Sequence, residues 1–332
     1  MKILVTGGAG FIGSHLVEEL QNHLHATIVL DKALPKNRVV VDDCEVRPGV
    51  RVEYQEQPFD FCRLDPILAL FQMQKPDVVC HLGAVPSVKQ SIDDPLNTMN
   101  ANVLGTYNVL EAARLTGVRR VVFISSGAVY GQIAFAYSGR LLSEDLSLQP
   151  LNPYALSKKF GEEMARLWAS EEIFCPPSAR SGGGGGLDTV SLRFSNVFGP
   201  RQKRDAAYAS CIERFLWQWR DGKPLTIVPD GHQRRDMVYI KDVVRAVRLA
   251  AESTHRFGGN VINIGSGENY SILEIADLIG GKDYPREYIE ERKGEIRETK
   301  FDISRAKVWL GWVPEVSFEE GIENLKKEPD NV

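Results

Sequence analysis

The sequence has no Cys-x-x-Cys pair, no excess of positive charge and no apolar run of membrane-spanning length. Its five cysteines, Cys44, Cys62, Cys80, Cys175 and Cys211, are scattered. An odd number without zinc spacing speaks against a disulfide frame and against a structural metal site, and for reduced thiols. Forty Lys and Arg stand against 44 Asp and Glu, a formal net charge of −4. No general basic field therefore draws nucleic acid or an anionic membrane, and an anionic ligand must be held by locally placed Arg, Lys or backbone N–H groups. Residues 1–5 run straight into a buried-strand pattern and leave no room for a signal peptide. The expectation is a cytoplasmic protein without a resident metal.

Short apolar runs alternate with amphipathic stretches along the 332 residues. Segments 3–6, 27–30, 50–54, 78–82, 121–125, 190–194 and 261–264 read as buried strands. Between them, 14–22, 66–74, 95–116, 154–170 and 241–253 carry helical periodicity. Strands separated regularly by helices imply an α/β fold, a doubly wound parallel sheet covered on both faces. Past Asn196 the pattern loosens, with capping-box signals at Ser271…Glu274 and Ser317…Glu320. The expected division is a dinucleotide-binding domain of 1–196 and 236–264, with a smaller mixed α/β substrate domain of 197–235 and 265–332. The glycine run 182–186 reads as a flexible surface insertion; a phosphate cradle is the other reading, but the run follows no strand and opens no helix.

Thr6-Gly7-Gly8-Ala9-Gly10-Phe11-Ile12-Gly13 lies between the first strand and the first helix. Such a turn lets the backbone approach a pyrophosphate, which then sits at the helix N-terminus. Asp31 closes the second strand about twenty residues on. Its carboxylate would accept from the adenosine ribose hydroxyls and repel a 2′-phosphate, favouring NAD over NADP; Lys32 and Lys36, following closely, weaken that preference. Asp60 and Phe61 could clasp the adenine, and Asp60 could equally be a helix N-cap.

Tyr154 and Lys158 are spaced i, i+4, so both project from one helix face. A nearby ammonium stabilises a phenolate and lowers a tyrosine pKa from its ordinary value near 10. Ser126, ending the fifth strand, could bond the same substrate hydroxyl. Taken alone, a Tyr-x-x-x-Lys pair is a common accident of surface helices. Downstream of a glycine turn and Ser126 it reads as a general acid–base pair.

The chain resembles the extended short-chain dehydrogenase/reductases, specifically the NAD-dependent sugar-nucleotide epimerase/dehydratase family, and is closest in type to UDP-glucose 4-epimerase. The resemblance runs from the glycine turn through His81-Leu82-Gly83-Ala84, Asn102-Val103-Leu104-Gly105-Thr106 and Ser125-Ser126-Gly127-Ala128-Val129-Tyr130-Gly131. It continues through Asn152-Pro153-Tyr154-Ala155-Leu156-Ser157-Lys158 and Leu192-Arg193-Phe194-Ser195-Asn196-Val197-Phe198-Gly199-Pro200. Arg234-Arg235-Asp236-Met237-Val238-Tyr239-Ile240-Lys241-Asp242 and Gly311-Trp312-Val313-Pro314 complete it. It implies a Rossmann fold and a homodimer paired through the 95–116 and 154–170 helices. It implies NAD contacts from Gly7, Gly10, Phe11, Ile12, Gly13, Asp31, Lys32, Asp60, Phe61, Leu82, Gly83, Ala84, Asn102, Ser125, Tyr154 and Lys158. For a nucleotide-sugar substrate it implies Lys89, Ser126, Tyr154, Asn196, Arg201, Arg235, Arg292 and Thr299, with both Arg235 and Arg292 on the phosphates.

In that family the tyrosine takes the C4 hydroxyl proton while NAD takes the C4 hydride. The resemblance implies that dehydratases follow the residue matching Ser126 with an Asp-Glu pair, and that decarboxylases carry Glu at the position of Ala128. Here stand Gly127 and Ala128. What remains is C4 oxidation, rotation of the keto sugar and hydride return, a 4-epimerase; a reductase or dehydrogenase uses the same residues. Thr299, matching a position that is bulky in hexose-restricted epimerases, suggests tolerance of an N-acetyl group. Lys89, where glucuronate epimerases carry Arg, keeps a carboxylated sugar as the alternative. An NAD-binding regulatory protein without activity is the remaining reading, and the intact Tyr154 and Lys158 speak against it.

Overall fold

The computed structural model describes residues 1–32, 52–54, 60–170, 173, 187–202, 210–290 and 296–328. The 182–186 glycine run, Lys36 and Arg292 lie outside the described residues. Among the described residues, seven strands form the main sheet: β1 (Lys2–Thr6), β2 (Ala26–Leu30), β3 (Val52–Tyr54), β4 (Val78–His81), β5 (Arg120–Ser126), β6 (Asp188–Phe194) and β11 (Asn260–Ile264). Their order is β11-β6-β5-β4-β1-β2-β3. The β1–β2, β1–β4, β2–β3 and β4–β5 pairs are parallel. In this register Thr6 lies between Leu30 and His81, so the segments leaving the carboxyl ends of β1, β2 and β4 emerge side by side. That edge is where open α/β sheets receive their ligands.

The central strand β1 is apolar on both faces, as a covered parallel sheet requires. Ile3, Leu4, Val5, Val79 and Val121 are fully buried. Leu4, Val79 and Val121 join Phe71 and Leu110 in one core, to which Trp168 belongs as well. The predicted 95–116 helix forms in three parts, with helical Pro95–Met99 and Gly105–Thr116 joined by a π-turn at Asn100–Leu104. The buried residue within that turn is Asn102.

The chain divides into two compact units. The first comprises 1–126, 152–193 and 244–262. A buried ion pair ties its distant segments together: Arg120 Nε donates to Asp188 Oδ2 at 2.7 Å. The same guanidinium caps the carbonyls of Ala250 and Ser253, while Asp188 Oδ1 accepts from the amides of Phe257 and Gly258. Hydrogen bonds on both partners thereby offset the burial of the pair.

The second unit comprises 127–151, 194–243 and 263–332. Its described residues form three short strand pairs, β7 (Asn196–Phe198) with β10 (Met237–Tyr239), β8 (Leu225–Ile227) with β13 (Arg286–Tyr288), and β9 (Arg234–Arg235) with β12 (Tyr270–Ser271). Segment 127–151 falls here, whereas the sequence pattern places it with the first unit. The reason is Asn263, whose amide donates to the Leu142 carbonyl and accepts from the Tyr130 hydroxyl, both at 2.8 Å. Ser271 and Glu274 make the full reciprocal capping box, and Ser317 accepts from the Glu320 amide. Two motifs far apart in sequence also meet: Trp312 Nε1 donates to the Asp242 carbonyl at 2.9 Å.

Candidate active site

The glycine turn is shaped by contacts that exclude side chains. A Cβ on Gly7, whose φ is +72°, would lie 2.8 Å from the Gly83 amide nitrogen, and one on Gly13 would lie 2.1 Å from the Gly7 carbonyl oxygen. The helix opens at Phe11, three residues before the expected start, and continues to Asn22. Its N-cap, Gly10, makes no side-chain cap, which leaves the first-turn N–H groups of Phe11, Ile12 and Gly13 for a ligand. Asp31 is already bound to this turn: its carboxylate accepts from the Ala9 amide at 2.9 Å. Lys32, next to it, is exposed. A turn that only glycine can line, a helix N-terminus without a side-chain cap and a carboxylate closing the second strand fit a dinucleotide.

A hydrogen-bonded chain fixes the Leu82-Gly83-Ala84 segment beside the turn. Leu82 N donates to the Thr6 carbonyl at 3.2 Å, and Gly83 N donates to Thr6 Oγ1 at 3.0 Å. Thr6 Oγ1 in turn lies 2.7 Å from His81 Nδ1, and His81 Nε2 lies 3.1 Å from Thr106 Oγ1. Asn102 is spent on the protein itself. Its Oδ1 accepts from the Val85 amide, and its Nδ2 donates to the Val85 carbonyl and to Ser157 Oγ. The structure therefore gives its side chain the work of holding the segment after β4 against the Pro153–Trp168 helix.

Asp60 is exposed and accepts from the Cys62 amide at 2.9 Å. It is not the cap of the next helix, whose N-cap is Arg63. Phe61 packs against the main core and offers its carbonyl to Asn108 Nδ2.

Asn152 caps the Pro153–Trp168 helix by accepting from the Ala155 amide, and Pro153 occupies the first turn where its missing N–H costs nothing. Tyr154 and Lys158 follow on one face. Ser126 hydrogen-bonds the Tyr154 hydroxyl, and Lys158 Nζ donates to the Ile124 carbonyl at 2.8 Å. Burial pushes the Tyr154 phenol above its ordinary range, and the Ser126 bond pulls it partly back. This differs from the lowering expected from the i, i+4 spacing, because burial outweighs it in the absence of a ligand. Burial pushes the Lys158 ammonium down to about 8, and the carboxylate of Glu162 acts against that shift. Ser125 is turned to the same carboxylate, donating to Glu162 Oε1 at 2.5 Å.

In the second unit, Asn196, Arg235 and Thr299 converge on one residue. The amide and Nδ2 of Asn196 both donate to the Asp236 carbonyl at 3.1 Å. Thr299 Oγ1 accepts from the Asp236 amide at 3.3 Å, and Arg235 adjoins it in the chain, with Nη1 on the Arg234 carbonyl at 2.9 Å. The Asp236 carboxylate is fully buried and accepts from the amides of Ser266, Gly267 and Phe301. The sequence offered it only as part of a motif, without a role. Arg201 stands in the left-handed region with φ +67°. Lys89, in the first unit, is exposed and paired with Asp93 across one helical turn.

Residues 3–265 match the NAD dependent epimerase/dehydratase family. The chain belongs to that family. It is 35% identical to a UDP-glucose 4-epimerase of Mycolicibacterium smegmatis over 331 residues, 97% of this chain and 96% of that protein. Its structure resembles the UDP-glucose 4-epimerase of Thermotoga maritima, solved with UDP-glucose, with a TM-score of 0.81 and 33% identity over 97% of this chain and 96% of that one. It also resembles the UDP-glucuronic acid 4-epimerase of Bacillus cereus, solved with UDP-glucuronic acid and NAD, with a TM-score of 0.80 and 32% identity over 97% of each chain. Relatives named as decarboxylases and dehydratases match as well. The chain is thus an NAD-dependent enzyme of a nucleotide-sugar family. Among the described residues, no helix is long and apolar enough to cross a membrane.

Proposed function

We propose that this enzyme is a nucleotide-sugar 4-epimerase acting on a UDP-hexose or UDP-N-acetylhexosamine. One observation carries the choice within the family. A Cβ built on Gly127 would lie 2.4 Å from Phe301 Cζ, and the Phe301 ring is packed among Tyr130, Ala134 and Leu142. Position 127 therefore has no room for the carboxylate that water elimination would need directly after Ser126. Ala128 has no ionisable group to assist decarboxylation. The chemistry left to the chain is reversible oxidation at C4.

NAD, held by the glycine turn and Asp31, would supply reversible hydride acceptance at C4. Tyr154 takes the C4 hydroxyl proton and later gives it back, Ser126 holds that hydroxyl, and the Lys158 charge favours the phenolate and bonds the nicotinamide ribose. Gly7, Gly10 and Gly13 admit the pyrophosphate, and Asp31 receives the adenosine ribose. Asn196, Arg235 and Arg292 hold the substrate diphosphate as the keto sugar turns. The enzyme works in the cytoplasm as a homodimer. Supporting the pairing, the Gly105–Thr116 and Pro153–Trp168 helices expose Tyr107, Leu115, Phe160 and Leu167 to solvent.

Incubation with UDP-glucose, UDP-galactose, UDP-N-acetylglucosamine and UDP-glucuronic acid, with products resolved by NMR, tests the reading. The expected product is the C4 epimer with no net gain in NADH absorbance. A 4-keto-6-deoxy product, or NADH accumulating in step with product, would sink it in favour of a dehydratase or a dehydrogenase.

A further inference from the structure

Glu162 has no part in the reading above, yet it lies one helical turn beyond Lys158. Tyr154, Lys158 and Glu162 form a stripe along the Pro153–Trp168 helix. Each meets one of three consecutive residues at the end of β5: Tyr154 meets Ser126, Lys158 meets Ile124 and Glu162 meets Ser125. Behind the stripe, Arg193 on β6 donates to Glu162 Oε1 at 2.8 Å and to Oε2 at 2.7 Å. Ser125, Lys158, Glu162 and Arg193 are all buried.

A buried ion pair is poor value as a stability device, since apolar residues of the same size often serve as well. Its place beside Lys158 supplies another reason. Among the described residues, the groups that bear on the Lys158 ammonium are the Ile124 carbonyl, the Phe123 ring 5.2 Å away, Glu162 and, from β4, His81. Burial and the Lys158 charge push the His81 imidazole down to about 3, so it is neutral. Arg193 bears on the ammonium through the carboxylate it holds. Glu162 is thus the anion that offsets the desolvation of Lys158.

We propose that Glu162 is a positioning residue for the catalytic pair, locking the end of β5 to the helix and keeping Lys158 an ammonium by its own negative charge. The inference rests on the catalytic reading of Tyr154 and Lys158. Its arrangement is consistent from three sides: Ser125 hydrogen-bonds the carboxylate, Arg193 donates to both of its oxygens, and helix spacing sets it one turn from the lysine.

The test is Glu162→Gln in the full-length NAD-bound enzyme, assayed with UDP-glucose. The amide oxygen can still accept from Ser125 and Arg193, but the charge is gone. The expected result is an unchanged circular-dichroism spectrum, a KM within about twofold, and a kcat reduced roughly tenfold at pH 8. The alkaline limb of the kcat profile should move toward lower pH by about one unit, because losing the anion disfavours the ammonium. Glu162→Asp should return most of the shift. Should the Arg193 charge without its carboxylate partner prevent folding of the single variant, Glu162→Gln/Arg193→Gln removes both charges and should displace the limb in the same direction. An alkaline limb superimposed on that of the parent in the folded variants would overturn the proposal and leave Glu162 a packing residue. Tyr154→Phe runs alongside: parental turnover in that variant would sink the catalytic reading itself, and this inference with it, whatever the limb does.

Discussion

Lys158 and Ile124 are joined by a 2.8 Å hydrogen bond from ammonium to backbone carbonyl, deep between the fifth strand and the helix that follows it. That bond fixes where the positive charge sits before any ligand arrives, and Tyr154, one turn earlier, meets Ser126 two residues further along the same strand. The proton chemistry is therefore built on rigid elements, where a small displacement costs much activity.

Tyr154→Phe removes only the hydroxyl. It should leave NAD binding and the melting temperature close to those of the parent while lowering turnover about 10²–10⁴-fold, the usual scale for loss of a general base. Steady-state assay with UDP-glucose beside NAD titration checks both halves. Near-normal turnover would remove Tyr154 from the mechanism.

Gly127→Ala should destabilise the protein by roughly 1–3 kcal/mol through overpacking against Phe301. The contact is 2.4 Å from a ring edge that is itself packed, so little of the strain can relax. Phe301→Leu should relieve part of that loss, and a double-mutant cycle in urea measures the coupling. Additive losses would mean that the ring does not limit position 127.

His81 sets a pH dependence. Thr106 Oγ1 donates to the Asn102 carbonyl and so receives from His81 Nε2, which leaves Nδ1 of the neutral ring to accept from Thr6 Oγ1. A second ring proton at Nδ1 would force the Thr6 hydroxyl to turn its own proton away and accept instead. Burial first, and the Lys158 charge second, push the imidazole down to about 3. Between roughly pH 6.5 and that value the unfolded chain binds the proton and the folded one does not, so stability should fall as pH falls. Burial pushes the Glu213 carboxyl up to about 7, and that group acts in the opposite sense. Comparing urea midpoints of the parent and His81→Asn at pH 7 and pH 4.5 isolates the histidine. The parent should lose more stability over the interval; equal losses would show that His81 takes up a proton in the folded state.

Much of the first unit was legible because its signals are local. The glycine turn, the second-strand Asp31 and the Tyr154–Lys158 spacing each follow from backbone sterics or helix period. What the sequence hid was tertiary pairing. Glu162 lies at a readable i+4 from Lys158, but its partner Arg193 is 31 residues on, and neither Ser125 nor Arg193 advertises a direction for its side chain. Asn102, expected to border the cofactor, has its amide bonded to Val85 and Ser157, pairings that no spacing encodes. The 127–151 segment followed a sheet strand in sequence and packs with Asn263 because of hydrogen bonds that no periodicity encodes. Position 127 read only as a missing carboxylate; the ring that fills its space comes from residue 301.

Thr299 offers a test of substrate range. Its amide donates to the Arg234 carbonyl at 3.1 Å and its hydroxyl accepts from the Asp236 amide at 3.3 Å, so the backbone here is held on both sides of Arg235. A substitution at 299 should therefore change side-chain volume more than backbone path. If the side chain borders the sugar, Thr299→Tyr should depress turnover of UDP-N-acetylglucosamine far more than that of UDP-glucose, since the ring would take the volume needed by the acetyl group. One methylene's worth of pocket is typically worth about 1–3 kcal/mol in discrimination, so a ten- to two-hundred-fold change in the ratio of kcat/KM values is the scale to expect. Thr299→Ser, which keeps the hydroxyl on the Asp236 amide, should leave the ratio nearly unchanged and serves as the control for the lost hydrogen bond. Equal losses on both substrates in Thr299→Tyr would place residue 299 away from the 2-position of the sugar, and the width of the pocket would then have to be set by other residues.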